Sequence, residues 1–196
     1  MQDFFSHPQN QKVKLLSEDP QTGPEGFPYM MLSTEGAPAE SFLNLVKWGA
    51  DRGIGLVVNP QKEIPDLVLT YGMLWNYVER GEFFTQTQMQ PSGEIKLTPN
   101  GQLFAGVPSE SYWPATRRKI FKEFLIQQGV MQPKVLMLSE VFEGPMDLTF
   151  SLESLGNPQK AEWAGILEAF SWFFPRHYSL SIVSEKNILG HSFVSL

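Results

Sequence analysis

An α+β fold of two similar modules, each a mixed or antiparallel sheet with helices packed on one face, is the architecture this sequence predicts. Three observations predict it. Short apolar tracts of strand length alternate with longer tracts of helical spacing. The order helix-strand-strand-helix-strand occurs at about residues 38–89 and again at about 114–196. The helical tracts are apolar along one side only, which suits them to cover one face of a sheet. The modules are expected at residues 1–108 and 109–196.

The first module opens with a strand near Lys12–Leu16, a loop forced by the Pro and Gly of DPQTGPEG, and a second strand in FPYMMLS. Ala37-Pro38 announces a helix, since proline fits the first turn, where its missing N–H costs nothing. Phe42, Leu45, Val46 and Gly49 follow on one side of that helix, and Gly53 is placed to stop it. Ile54–Val58 is a brief apolar strand closed by Asn59-Pro60, and Leu67–Leu69 is another. Thr70 is the expected N-cap of a helix that carries Tyr71, Leu74, Trp75 and Val78 on one face and ends at Gly81. A meander is expected next, with strands at Phe83–Met89, Glu94–Thr98 and Leu103–Val107 separated by Pro-Ser-Gly and Pro-Asn-Gly turns.

The second module restarts with a helix entered through Pro114 and left through Gly129, whose buried stripe is Ile120, Phe121, Phe124 and Leu125. Strands at Lys134–Phe142 and Met146–Ser154 follow. In the latter, Met146, Leu148, Phe150 and Leu152 alternate with Asp147, Thr149, Ser151 and Glu153, which predicts one packed and one wet face. Asn157-Pro158 opens a helix with Trp163, Ile166, Leu167, Phe170 and Phe174 on one side, ended by Pro175. Strands at Tyr178–Val183 and Ser192–Leu196 close the chain.

Composition narrows the chemistry. With 42% hydrophobic and 13% aromatic residues, the chain is apolar enough to build a core over most of its length. Fifteen Lys+Arg against 21 Asp+Glu give a net charge of -6, which repels a phosphate backbone and argues against nucleic acid. The acidic excess lies in residues 1–108, with 7 basic against 12 acidic side chains. No cysteine is present, so disulfides, thiolate nucleophiles and cysteine-based metal sites are excluded. No apolar run approaches the roughly 20 residues of a membrane span, and MQDFFSHPQNQ lacks the character of a signal peptide. A soluble, cytoplasmic protein that binds neither membrane nor nucleic acid is expected.

Motifs for catalysis are thin. Gly190-His191-Ser192-Phe193-Val194 lacks the second glycine of a nucleophile elbow and has no room for the following helix. Arg52-Gly53-Ile54-Gly55 leads into a strand, and Tyr71-Gly72 leads into a helix with no lysine behind it; neither has the makings of a phosphate loop. His7, His177 and His191 stand singly, without the spacing of a metal site. Glu140, Glu143 and Asp147 gather around one hairpin, a solvent-rich end that reads as a solvated rim rather than a site of acid-base work. No cofactor, no metal ligand and no catalytic residue is expected. Arg117-Arg118-Lys119 with Lys122 is the one basic cluster, and Tyr112 and Trp113 stand just before it, a combination suited to an acidic peptide or phosphate.

Phe104 to Glu110, through the helix to Gln128-Gly129-Val130 and on to Pro133-Lys134-Val135-Leu136-Met137-Leu138, resembles the start of the C-terminal domain of the bacterial SseB (enhanced serine sensitivity) family. There a strand ending in a G-x-P turn leads to a helix, a short loop and an apolar strand. Asp66–Tyr77, an apolar strand passing into a helix with a tryptophan, is similar to the end of that family's N-terminal domain. The resemblance implies a bacterial cytosolic α+β protein and carries no catalytic residue onto this chain.

The function expected from these readings is non-catalytic protein binding, to a protein partner or as a homodimer. Candidate binding residues are Tyr71, Trp75, Tyr112, Trp113, Arg117 and Arg118. One alternative is a small enzyme or ligand-binding protein with a cleft between the modules that uses Tyr71, Trp75, Arg176 or His177. Another is an acidic immunity-type or chaperone-type protein that masks a basic partner.

Overall fold

A computed structural model describes residues 2–37, 39–85, 103–139, 144–188 and 190–196. It is an α+β protein with two mixed sheets. Residues Met1–Gln86 with Trp172–Pro175 form one compact unit, and Thr87–Ser171 with Arg176–Leu196 form the other. The expected division after residue 108 therefore differs from the observed one at two places: residues 104–106 join the second sheet, and four late residues complete the first unit.

In the first unit a short helix α1 (Gln2–Ser6) precedes β1 (Lys12–Leu15), β2 (Gln21–Thr22), β3 (Pro28–Ser33) and β4 (Glu40–Ser41). Helix α2 (Phe42–Arg52), β5 (Gly55–Val58), β6 (Leu67–Leu69) and α3 (Tyr71–Arg80) follow. The strand order is β4-β1-β3-β5-β6, with β2 also on β3. β3 and β5 are parallel, joined by the α2 crossover, while β1 and β6 run antiparallel to their neighbours. Period-two alternation sorts the sheet. Val13, Met30, Leu32, Leu56, Val58, Leu67 and Leu69 share a core with Phe42, Leu45 and Val46 of α2 and Met73 and Leu74 of α3. The helices thus cover that face of the sheet.

Helix α2 starts four residues later than Pro38 predicts, because Ser41 is its N-cap and its hydroxyl accepts from the Asn44 N–H. Its end at Gly53, with φ +72°, is as expected. Helix α3 begins after Thr70, whose side chain makes no cap bond among the described residues. Val78, expected on its buried face, is exposed, while the first turn and a half, Tyr71–Asn76, is buried all round. Phe83–Thr85 is not the start of a strand; Phe83 turns into the core and stacks on Tyr77 at 4.4 Å. The rest of that expected strand and the one at Glu94–Thr98 lie outside the described residues.

The second unit comprises β7 (Phe104–Gly106), α4 (Ala115–Gln127), β8 (Lys134–Ser139), β9 (Asp147–Ser151), α5 (Trp163–Ser171), β10 (Ser179–Val183) and β11 (Val194–Ser195). The order is β10-β9-β8-β11, with β7 also on β8; β9 and β10 are parallel and the other pairs antiparallel. Phe150 of β9 meets Phe121 of α4 at 5.5 Å and Phe170 of α5 at 4.9 Å, so both helices cover one face. On the other face Leu136, Leu138 and Val183 pack with Ile188 and Phe193 from the C-terminal segment.

That second cover corrects the expectation of a wet face on β9. Thr149 and Ser151 are fully buried, and the Thr149 and Ser181 hydroxyls bond each other across the strands at 2.9 Å. Small hydroxyls can be buried at little cost once each has a partner. Helix α5 also ends early, at Ser171, so Phe174 does not extend its apolar stripe; Trp172–Pro175 leaves the helix and packs in the first unit.

Candidate functional site

The corner Thr70-Tyr71-Gly72 is occupied by the chain itself. The Gly72 N–H, one of the donors a helix start leaves open, donates to the Trp172 carbonyl at 3.0 Å. A Cβ on Gly72 would lie 2.1 Å from the Phe174 carbonyl oxygen, so only glycine lets this backbone pass. Around it, Trp172 stacks on Phe27 at 4.6 Å and meets Tyr29 edge-on at 5.7 Å; Tyr71 meets Phe173 at 6.1 Å and Trp75 meets Phe174 at 6.0 Å. Tyr71 and Trp75 are 1% and 2% exposed, which makes them walls of an aromatic core. The Tyr29 phenol accepts from the Trp172 indole N–H at 2.6 Å, and burial raises its pKa above the usual tyrosine value.

Tyr112, Trp113, Arg117 and Arg118 do come together around the start of α4, but not as an exposed basic patch. Trp113 is fully buried against Phe121 and Phe150. Arg117 is 6% exposed and shares the buried stripe of α4 with Phe121 and Leu125, where helical spacing predicted Ile120 and Phe124. Arg118 donates to the Trp113 carbonyl at 2.6 Å and to the Glu110 carboxylate at 3.0 Å, and the other Glu110 oxygen accepts from the Ala115 N–H. Glu110 thereby supplies the cap that Pro114 cannot. The Tyr112 and Tyr178 rings meet at a tilt, 4.6 Å between centroids, and the Tyr178 hydroxyl donates to the Tyr112 carbonyl. Burial, with the Asp147 charge adding to it, pushes the Tyr112 phenol up to about 12. His177 rests its ring on Tyr178 at 4.9 Å, and Arg176 is exposed.

Sequence reasoning passed over two polar clusters. Asn59, fully buried with φ +55°, ends β5. Its N–H donates to Leu32 O, its Oδ1 accepts from Thr34 N–H at 2.9 Å, and its Nδ2 donates to Thr34 Oγ1 and to Asp66. The Lys62 ammonium, with Asn59, holds the Asp66 carboxyl below its usual range. Asn-Pro was legible as a turn; the bonds that staple the ends of β3 and β5 were not. In the second unit, Glu185 accepts from Ser151 Oγ at 2.6 Å and from Lys134 Nζ at 3.0 Å, while Glu153 accepts from Ser184 Oγ and the Glu185 N–H. The Ser151 and Lys134 bonds lower the Glu185 pKa. Desolvation would raise Glu153, but the Ser184 hydroxyl and backbone N–H donors outweigh it and lower that pKa too. No group of three or more potential metal-ligating side chains occurs among the described residues.

An apolar row on the first sheet also reaches the surface. On the face of the first sheet turned away from α2 and α3, register aligns Met31 with Val57 and Val57 with Val68, and the Leu16 N–H donates to the Met31 carbonyl. Leu16, Met31, Val57 and Val68 therefore form one row across four chain segments. Its ends are open, with Leu16 47% and Val68 44% exposed and Ile64, just before β6, 78% exposed, while Met31 is half-buried and Val57 at its centre is buried. Lys12 and Lys14 share the exposed side of β1 that leads to Leu16.

The class these features define is an α+β protein with two mixed-sheet units. No family model, curated protein or solved structure matches the chain. No helix among the described residues is long and apolar enough to cross a membrane.

Proposed function

We propose that this is a non-catalytic protein that works in the cytosol by binding another protein on the helix-free face of its first sheet. The observation that carries the reading is the row Leu16–Met31–Val57–Val68, open at both ends and bordered at one by Lys12 and Lys14. Such a surface suits an apolar ridge flanked by acidic side chains, since burial of the ridge supplies affinity and opposite charge sets the register. The candidate acids and bases support the same reading from the other side. Glu153, Glu185, Asp66 and Arg118 are each held in internal bonds. A cytosolic α+β protein is also what the resemblance to the SseB family implies, and that resemblance carries no catalytic residue onto this chain.

The test is affinity capture from an extract of the cells that make the protein, with the wild type and a Leu16→Glu/Val68→Glu variant side by side. A protein retained by the wild type and lost by the variant supports the reading, and light scattering tells whether that protein is a second copy. Equal retention by both, or retention of a metabolite instead, overturns it.

A further inference from the structure

We propose that Trp172–Pro175 is a strap without which the first unit cannot complete its core, so that the stability of a unit built from residues 1–86 depends on four residues near the other end of the chain. Thr87–Ser171 and Arg176–Leu196 belong to the second unit, and of the chain after Gln86 these four residues alone count with the first. Their engagement is dense. Trp172 is 5% exposed, Phe173 4% and Phe174 2%. The Trp172 ring lies between Phe27, Tyr29 and Tyr71, its indole N–H is bonded to Tyr29, and its carbonyl accepts from Gly72.

The receiving side is shaped for it. Tyr29, the acceptor for Trp172, lies so close over β5 that a Cβ on Gly55 would be 2.6 Å from its ring, and a Cβ on Gly23 would be 2.7 Å from the same ring. Gly72 gives way to the Phe174 backbone. Glycines from a loop, a strand and a helix thus clear space for one tyrosine and the strap it holds. Withdrawal of the strap would leave Phe27, Tyr29 and Tyr71 without the rings that cover them, a loss of the order that follows deletion of a buried aromatic. The dependence holds whatever the protein binds.

Hydrogen exchange of the full-length chain tests it, with the amides of residues 29–33 and 55–58 read against those of 134–139 and 147–151. Trp172→Phe, which keeps a ring and loses the N–H donor, is expected to raise exchange in the first set about tenfold, as loss of one buried hydrogen bond would, and to leave the second set unchanged. Trp172→Ala is expected to raise the first set further. Unchanged exchange of residues 29–33 and 55–58 in Trp172→Ala overturns the proposal, as does an equal rise in both sets for Trp172→Phe. Should Trp172→Ala fail to fold, the Trp172→Phe comparison alone decides.

Discussion

The indole N–H of Trp172 donates to the phenol oxygen of Tyr29 at 2.6 Å, across 143 residues of sequence. Both groups are buried, so neither has water to fall back on. Tyr29→Phe keeps the ring and removes the acceptor. It is expected to cost about 1–3 kcal/mol, the penalty for a buried donor deprived of its partner, read as a lower midpoint in urea at unchanged slope.

Gly72 and Gly165 offer a matched contrast, since both lie in helices. A methyl group at Gly72 meets the Phe174 backbone at 2.1 Å, and backbone does not rotate away; at Gly165 nothing among the described residues lies within 4 Å. Gly72→Ala is expected to destabilise by about 3 kcal/mol or more, at or above the usual range for overpacking. Gly165→Ala is expected to stabilise by about 0.5–1 kcal/mol, the helix preference of alanine over glycine. Thermal midpoints measured side by side check both signs.

Asn59 combines a left-handed backbone with side-chain bonds to Thr34 and Asp66. Asn59→Ala loses the bonds and retains the strained φ, and is expected to cost about 3 kcal/mol; Asn59→Gly relieves the strain and is expected to cost about 1 kcal/mol less. Chemical denaturation of the two variants measures that difference.

Glu185 and Glu153 both titrate below the ordinary glutamate value of 4.5 in the folded chain. A depressed folded pKa means that the unfolded chain takes up protons first. The contribution of these groups is therefore fully present above pH 4.5 and is lost as pH falls through their lower folded values. Glu185→Gln is expected to lower stability at neutral pH and to flatten its decline in acid. Urea midpoints at a series of pH values from neutral down through 4.5 check this.

Much of the fold was legible because local rules and packing agree there. The strands around Lys12–Leu15, Pro28–Ser33, Gly55–Val58 and Leu67–Leu69, and the helix stops at Gly53 and Gly81, follow from apolar runs and left-handed caps. The end of α5 was not legible, since Phe174 continues the helical stripe of Phe170 and only the rings of Phe27, Tyr29 and Tyr71 draw the chain out. The candidate site fared worse for the same reason. Trp113 and Arg117 look like a binding pair in sequence, but burial is a tertiary property, and the packing of Phe121 and Phe150 claimed the tryptophan for the core. Val68 and Leu16 carry no motif at all; only strand register places them in one row.

Hydrogen exchange of the captured complex against the free protein tests the binding surface most directly. Protection confined to Lys14–Leu16, Val68 and their immediate neighbours is the predicted footprint. Protection centred on α4 around Arg118, with the first sheet unchanged, would contradict the account.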